Sequence, residues 1–221
     1  MSGHISVRDP EDPHKFWTNP LGKYFGALQP SDMILVDYSG TAVGGNTRLT
    51  FNAAGFQIHS AVHKARPDVI AACHTHSTAG RAWSAFSRRL DMLNQDVTQF
   101  YGDAQAVYSE FGGVVFNEAE AYRLAMALGP KGKGMILRNH GLLTVGKTVD
   151  EAAYLFMLME KSCEVQLLVE AAAANGIDKV YINDDIAEYT YRMTSDSEAL
   201  YCEFQPDLCW ERECLGGKYS E

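Results

Sequence analysis

The sequence predicts an α/β domain built in three layers, α/β/α. Three observations carry that reading. Short extended runs are interleaved with helical segments, as a sheet covered by helices requires. Several of those runs follow one another with only a turn between them, which argues against a strictly alternating, doubly wound sheet. The chain, at 221 residues, is long enough to bury a full core without disulfide staples. Its composition, 46% hydrophobic and 21% charged with 19 Gly and 7 Pro, is that of an ordinary soluble globular protein.

Taken in order, His4–Arg8, Phe16–Asn19 and Met33–Asp37 read as strands, punctuated by Asp9-Pro10, Asn19-Pro20 and Gly44-Gly45. Residues 52–65 read as a helix that Arg66-Pro67 stops, because proline disfavours helical geometry at the residue before it. Val69–Cys73 is continuously apolar, the mark of a strand buried on both faces. A helix is expected over Ser77–Phe86, a short strand at Gly113–Phe116, and a helix from Asn117, with Glu120 three residues on, to Leu128-Gly129-Pro130. Met135–Leu137 and Leu142–Val145 are apolar strands on either side of Asn139-His140-Gly141. Thr148 and Glu151 form a capping box that opens the longest helix, expected to run to about Ala174 and to stop at Asn175-Gly176. Beyond Asp178 the pattern weakens to a short acidic helix and an irregular tail. The expected division is therefore a domain over residues 1–177, with residues 178–221 as a C-terminal helix and tail packing on that domain or on a neighbouring subunit.

Composition also excludes function classes. The net charge is -9, and the longest basic cluster is Arg88-Arg89, so neither nucleic acid nor an anionic membrane is an expected partner. The longest apolar run, Ala152–Met159, is far short of the ~20 residues that span a bilayer. The first thirty residues carry charged side chains at short intervals and hold no signal-peptide core. The 5 cysteines contain no CxxC pair and read as reduced thiols, which points to the cytoplasm.

The chemistry concentrates at Cys73-His74-Thr75-His76. Strand side chains repeat with period two, so His74 and His76 at a strand end share one face, while Cys73 points to the other and packs in the core. His140 follows a second apolar strand and precedes Gly141. Three neutral imidazoles on a divalent ion leave a coordination position open, the arrangement of a catalytic rather than a structural site. Zinc fits first, and Fe(II) or Mn(II) are also compatible. His59 and His63, four residues apart on one helix face, have metal-ligand spacing too. With Lys64 and Arg66 beside them they read as supporting residues at an exposed helix end.

These motifs resemble a family. Gly3-His-Ile-Ser-Val-Arg8, Ala54-Gly-Phe-Gln-Ile-His59, Ala65-Arg-Pro-Asp-Val69, His74-Thr-His76, Leu137-Arg-Asn-His-Gly141 and the long helix after Thr148 are similar, in order, to the class II aldolase/adducin N-terminal domain family. The resemblance runs from about Gly3 to Ala174. It implies the family's α/β/α fold around a mixed, mostly antiparallel sheet. It also implies assembly as a homotetramer with sites at subunit boundaries, and metal ligands at His74, His76 and His140.

The chain departs from the family pattern at several points. Sugar-phosphate members carry an acid–base carboxylate where this chain has Gly55. Their phosphate-binding segments read here as Asn19-Pro20-Leu21-Gly22 and Ala53-Ala54, which lack the needed hydroxyl donors, and an Asn usual in the first motif is His4. A phosphorylated sugar is therefore disfavoured. The expected activity is a metal-dependent lyase of the aldolase or decarboxylase type, cleaving a C–C bond of a small non-phosphorylated hydroxy- or keto-acid. Gln57, Asp96, Tyr101 and His63 are the candidates to replace the missing acid. Two alternatives stand beside it. One is a non-heme Fe(II) oxygenase that oxidatively decarboxylates a hydroxy or amino acid in secondary metabolism. The other is a non-catalytic, adducin-like binding module. Tyr201-Cys-Glu-Phe-Gln-Pro206 is expected to pack on the surface, with closure over a neighbour's site as the alternative.

Overall fold

The computed structural model describes residues 3–113, 115 and 118–216. Four strands come early: β1 (Gly3–Arg8), β2 (Lys15–Thr18), β3 (Ile34–Asp37) and β4 (Ala42–Gly45). They are followed by α1 (Ala53–Ala65), β5 (Ala71–Thr75), α2 (Thr78–Ser84), β6 (Gln105–Tyr108), α3 (Glu118–Leu128), β7 (Gly134–Leu137) and β8 (Gly141–Gly146). Three helices complete the described chain: α4 (Val149–Ala173), α5 (Asp184–Thr194) and α6 (Ser197–Cys214). The strands form one sheet in the order β4-β3-β2-β1-β5-β8-β7-β6, and only β6 and β7 run parallel.

Side-chain alternation sorts the helices onto two faces. On one face Ala72, Met135, Leu137, Leu143 and Val145 pack against Ile58 and Val62 of α1 and Leu124 and Leu128 of α3. On the other, Ile136 and Leu142 meet Trp83 of α2, Leu155 and Met159 of α4 and Leu200 of α6. The expected three layers are present, around a mixed, mostly antiparallel sheet.

Polar groups fix the elements at their ends. Thr148 caps α4 by accepting from Glu151 N. Asn52 caps α1 by accepting from Gly55 N. The buried Arg8 guanidinium donates to His63 O and Arg66 O, carbonyls of the last turn of α1, and to Val69 O beyond it. That clip locks β1 against the helix above it, and the loop before β5 with it.

Several expectations are corrected. β4 and β6 are strands where none was expected, and the strand expected at Val69–Cys73 lies at Ala71–Thr75. Of the strand expected at Gly113–Phe116 and the helix start at Asn117, residues Val114, Phe116 and Asn117 lie outside the described residues; Gly113 and Val115 are not in a strand. Among the described residues, which end at Gly216, the tail is not irregular. Asp196 accepts from Glu198 N and Ala199 N and opens α6, which continues through Pro206. Proline is tolerated there because the helix lies along the surface and can bend at the lost hydrogen bond. Tyr201 and its neighbours up to Pro206 sit within this helix.

Candidate metal centre

The centre forms where three central strands meet. β1 and β8 flank β5, with His4 opposite His74 across one ladder and Leu143 opposite His74 across the other. His74 is the penultimate residue of β5, and His76 lies just past its end. His140 is delivered by the turn between β7 and β8. There Asn139 adopts φ 53, a left-handed conformation that Asn accommodates better than most residues, and His140 N donates to Leu137 O at 3.0 Å. Gly141 follows because a Cβ there would run into the backbone carbonyl of Thr75 on β5. The close approach of β8 to β5 depends on that missing methyl.

The three rings converge. Their centroids stand 5.2 Å (His74–His76), 4.8 Å (His74–His140) and 4.7 Å (His76–His140) apart. One ligand nitrogen from each lies within 4.8 Å of the others, and among the described residues no carboxylate or thiol joins them. His74 is fully buried, and its Nδ1–H donates to Leu142 O at 2.8 Å. That bond fixes the tautomer and leaves the lone pair on Nε2, which is buried without a partner. An orphaned buried acceptor is costly, and a cation held with His76 and His140 would satisfy it. The donor set therefore fits a divalent metal ion. Burial pushes the pKa of His140 down to about 4 and that of His74 well below the usual imidazole range; His76 is lowered too. All three thus offer neutral nitrogens near neutral pH.

Around the cluster, Glu160 of α4 organises the loop that follows His76. Its carboxylate accepts from Ser77 Oγ and from the backbone N–H groups of Ala79, at 2.8 Å, and Gly80, at 2.7 Å. Cys73 faces the opposite side of β5, among Ala71 and Ala152, where burial pushes its thiol up to about 12.

The sequence-predicted proton carriers lie at separate places in this chain. His63 is not at an exposed helix end: it and His59 are both buried, because β1 lies across them and Ser6 sits between the two rings. Gln57 lines a groove between α1 and α3 with Lys64 and Tyr122. Asp96 lines a separate cavity with Gln99, Tyr154 and Glu203. Tyr101 bonds Asp184 at the start of α5; partial burial is the first cause of its raised pKa and the α5 carboxylates add to it. The residue the sequence reading missed as part of the site is His4, noted there only as a departure from a pattern. Its ring stacks on His74 at 5.5 Å between centroids and 20° between planes. The signal was the pairing of that departure with Gly55, whose missing Cβ would fall 2.7 Å from His4 Nδ1.

A model of the family described as the class II aldolase and adducin N-terminal domain matches residues 1–167 of this chain. The chain belongs to that family. Among relatives of this family, the decarboxylase NovR of Streptomyces niveus is 44% identical over 78% of this chain. The 4-hydroxy-3-prenylphenylpyruvate oxygenase/4-hydroxy-3-prenylbenzoate synthase of Streptomyces roseochromogenus subsp. oscitans is 43% identical over 78%. The chain spans 63% and 61% of the lengths of those two proteins. In structure it is similar to an L-fuculose 1-phosphate aldolase from Glaciozyma antarctica PI12, with a TM-score of 0.87 and 42% identity, covering 99% of this chain and 82% of that one.

Proposed function

We propose that the chain is a metal-dependent lyase that cleaves a C–C bond of a small, non-phosphorylated hydroxy- or keto-acid, working as a homotetramer in the cytoplasm. The observation that carries the metal assignment is the orphaned Nε2 of His74, held in its tautomer by Leu142 O and converging with His76 and His140. These three residues would hold the ion, zinc in the first instance. Bound there, it would supply Lewis-acid polarisation of a substrate carbonyl, worth several kcal/mol on charge developing in the transition state.

This chain's residues bind and orient. The imidazoles of His76 and His140 are half-buried, with Arg81 near enough to depress the pKa of His76 behind the effect of burial. A cation in such a carboxylate-free cluster favours an acid over a neutral sugar. The segments that would hold a phosphate offer little. Asn19 is already spent, its Oδ1 accepting from Ile5 N and its Nδ2 donating to Gly3 O, and Ala53-Ala54 carries no hydroxyl.

A second reading is favoured by Gly55 and by the oxygenase name of the Streptomyces roseochromogenus relative: an Fe(II) oxygenase performing oxidative decarboxylation. Dioxygen chemistry needs no protein acid at position 55, and three imidazoles with open positions also suit Fe(II). Elemental analysis after anaerobic purification, followed by assay of hydroxy- and keto-acids with and without oxygen, separates the two. Anaerobic turnover by a zinc protein supports the lyase. Iron with oxygen consumption replaces it by the oxygenase. Absence of any metal from the wild-type protein would return the chain to a binding module. His74→Ala is expected to reduce metal stoichiometry from near one per chain to near zero.

A further inference from the structure

Position 55 and position 4 occupy one space. Gly55 is the third residue of α1, and a Cβ built on it would lie 2.7 Å from both Nδ1 and Cε1 of His4 and 2.8 Å from Cγ. The ring has aromatic neighbours on two sides. His74 stacks on one face, and His59 stands edge-on at 5.9 Å with its plane turned by 88°. His4 is further tied by backbone pairing with His74. A ring fixed in this way has one nitrogen committed inward: Nδ1 is enclosed and has no partner. Nε2 is the nitrogen left to meet a ligand. The ring stacks on His74, which in turn meets His76 and His140, so it belongs to the same cluster of imidazoles.

We propose that His4 is a substrate-contacting residue of this centre, donating from Nε2 to a carboxylate oxygen of the bound acid, and that Gly55 is glycine because His4 needs its place. The proposal rests on the metal-dependent reading above and adds the residue that selects the anion. With His74, His76 and His140 turned toward the ion, a side chain must come from elsewhere to hold the end of the substrate that the ion does not. His4 sits beside them on the next strand with a nitrogen to spare. The exchange is reciprocal. While His4 is present, no side chain fits at position 55, so this site cannot carry both an imidazole at 4 and a carboxylate at 55.

Two measurements test it, using oxalate as the probe acid on the metal-loaded full chain. By calorimetry, His4→Ala is expected to keep metal stoichiometry unchanged while weakening oxalate binding tenfold or more, and His4→Gln, which restores a donor, to recover part of that loss. In thermal melts of the metal-free protein, Gly55→Ala is expected to lower Tm in the native background but to be tolerated alongside His4→Ala. Unchanged oxalate affinity in His4→Ala overturns the contact. Equal damage from Gly55→Ala with and without His4 overturns the shared space. If the wild-type chain takes up no metal at all, the underlying reading fails, a result distinct from a metal-loaded His4→Ala that still binds oxalate normally.

Discussion

Ser6 has one hydroxyl proton and two imidazole neighbours. Its Oγ lies 2.6 Å from His59 Nδ1 and 2.8 Å from His63 Nε2, so it donates to one ring and accepts from the other. The tautomers of the two histidines are thereby linked, and neither ring nitrogen has another partner on that side. Ser6→Ala leaves a buried donor and a buried acceptor unsatisfied and is expected to cost about 1–3 kcal/mol in urea unfolding; a loss under about 0.3 kcal/mol would mean the rings find other partners. The same burial sets a pH response. His63 is pushed down to about 3, mainly by burial and further by the Arg8 guanidinium, and His59 falls well below the usual range. Both are neutral when folded, but in the unfolded chain they take up protons below about 6.5. The unfolded state then binds more protons, so stability is full above pH 7 and drains away as the pH falls from 6.5 toward 3. Melts of metal-free protein across that range should show the decline, and His63→Gln should make it shallower. At this scale the meeting of the three imidazoles was legible, because His-x-His at a strand end and His before Gly are local patterns. His4 was not legible as a site residue, because its meaning lies in a through-space clash with Gly55, fifty-one positions away.

Among the elements, α2 matters beyond its length. It starts two residues after His76, and its first turn is satisfied by Glu160 from α4 rather than by its own N-cap Ser77, whose hydroxyl also turns to Glu160. Glu160→Ala removes an acceptor from three donors and is expected to cost roughly 0.5–2 kcal/mol, as loss of a helix cap does. It should also weaken metal binding by freeing the loop that carries His76. A variant with lowered Tm and unaltered metal affinity would detach α2 from the centre. Elements were legible where periodicity or a cap marked them. Thr148 and Glu151 announced α4, and the apolar runs announced β7 and β8. β4, Ala-Val-Gly-Gly, holds a single β-branched residue and ends in two glycines, and β6 is four residues long and begins with a polar Gln. α6 was hidden by Pro206 and by a polar composition that its exposed face requires.

Across the whole molecule, α6 braces the domain within this chain. Its Leu200 is fully buried against the cluster formed by α2, α4 and the 3-10 turn Asp96–Phe100. Just before the helix, Lys133 bonds the Ser195 carbonyl and pairs with Glu151 at 3.1 Å. Deleting residues beyond Asp196 should therefore lower stability, Leu200 alone contributing about 1.5–3 kcal/mol, yet leave metal stoichiometry near one, since His74, His76 and His140 all lie outside it. Loss of metal together with the tail would give α6 a part in the centre. The fold class was legible at this scale because β-β connections and caps recur along the chain; the sheet's full width was not, since its edge strands are the least patterned.

The strand order has a consequence for how the molecule comes to be. The imidazoles at 4, 74 and 140 are borne by β1, by β5 and by the turn entering β8, three segments far apart in sequence that are brought side by side at the middle of the sheet. Contacts of such long range form slowly, and no shorter piece of the chain can pre-assemble them. Were the three imidazoles at 74, 76 and 140 to hold an ion as proposed, a growing polypeptide on the ribosome would have no place for it until the turn entering its eighth strand had closed on the fifth, so uptake would mark a late stage of assembly.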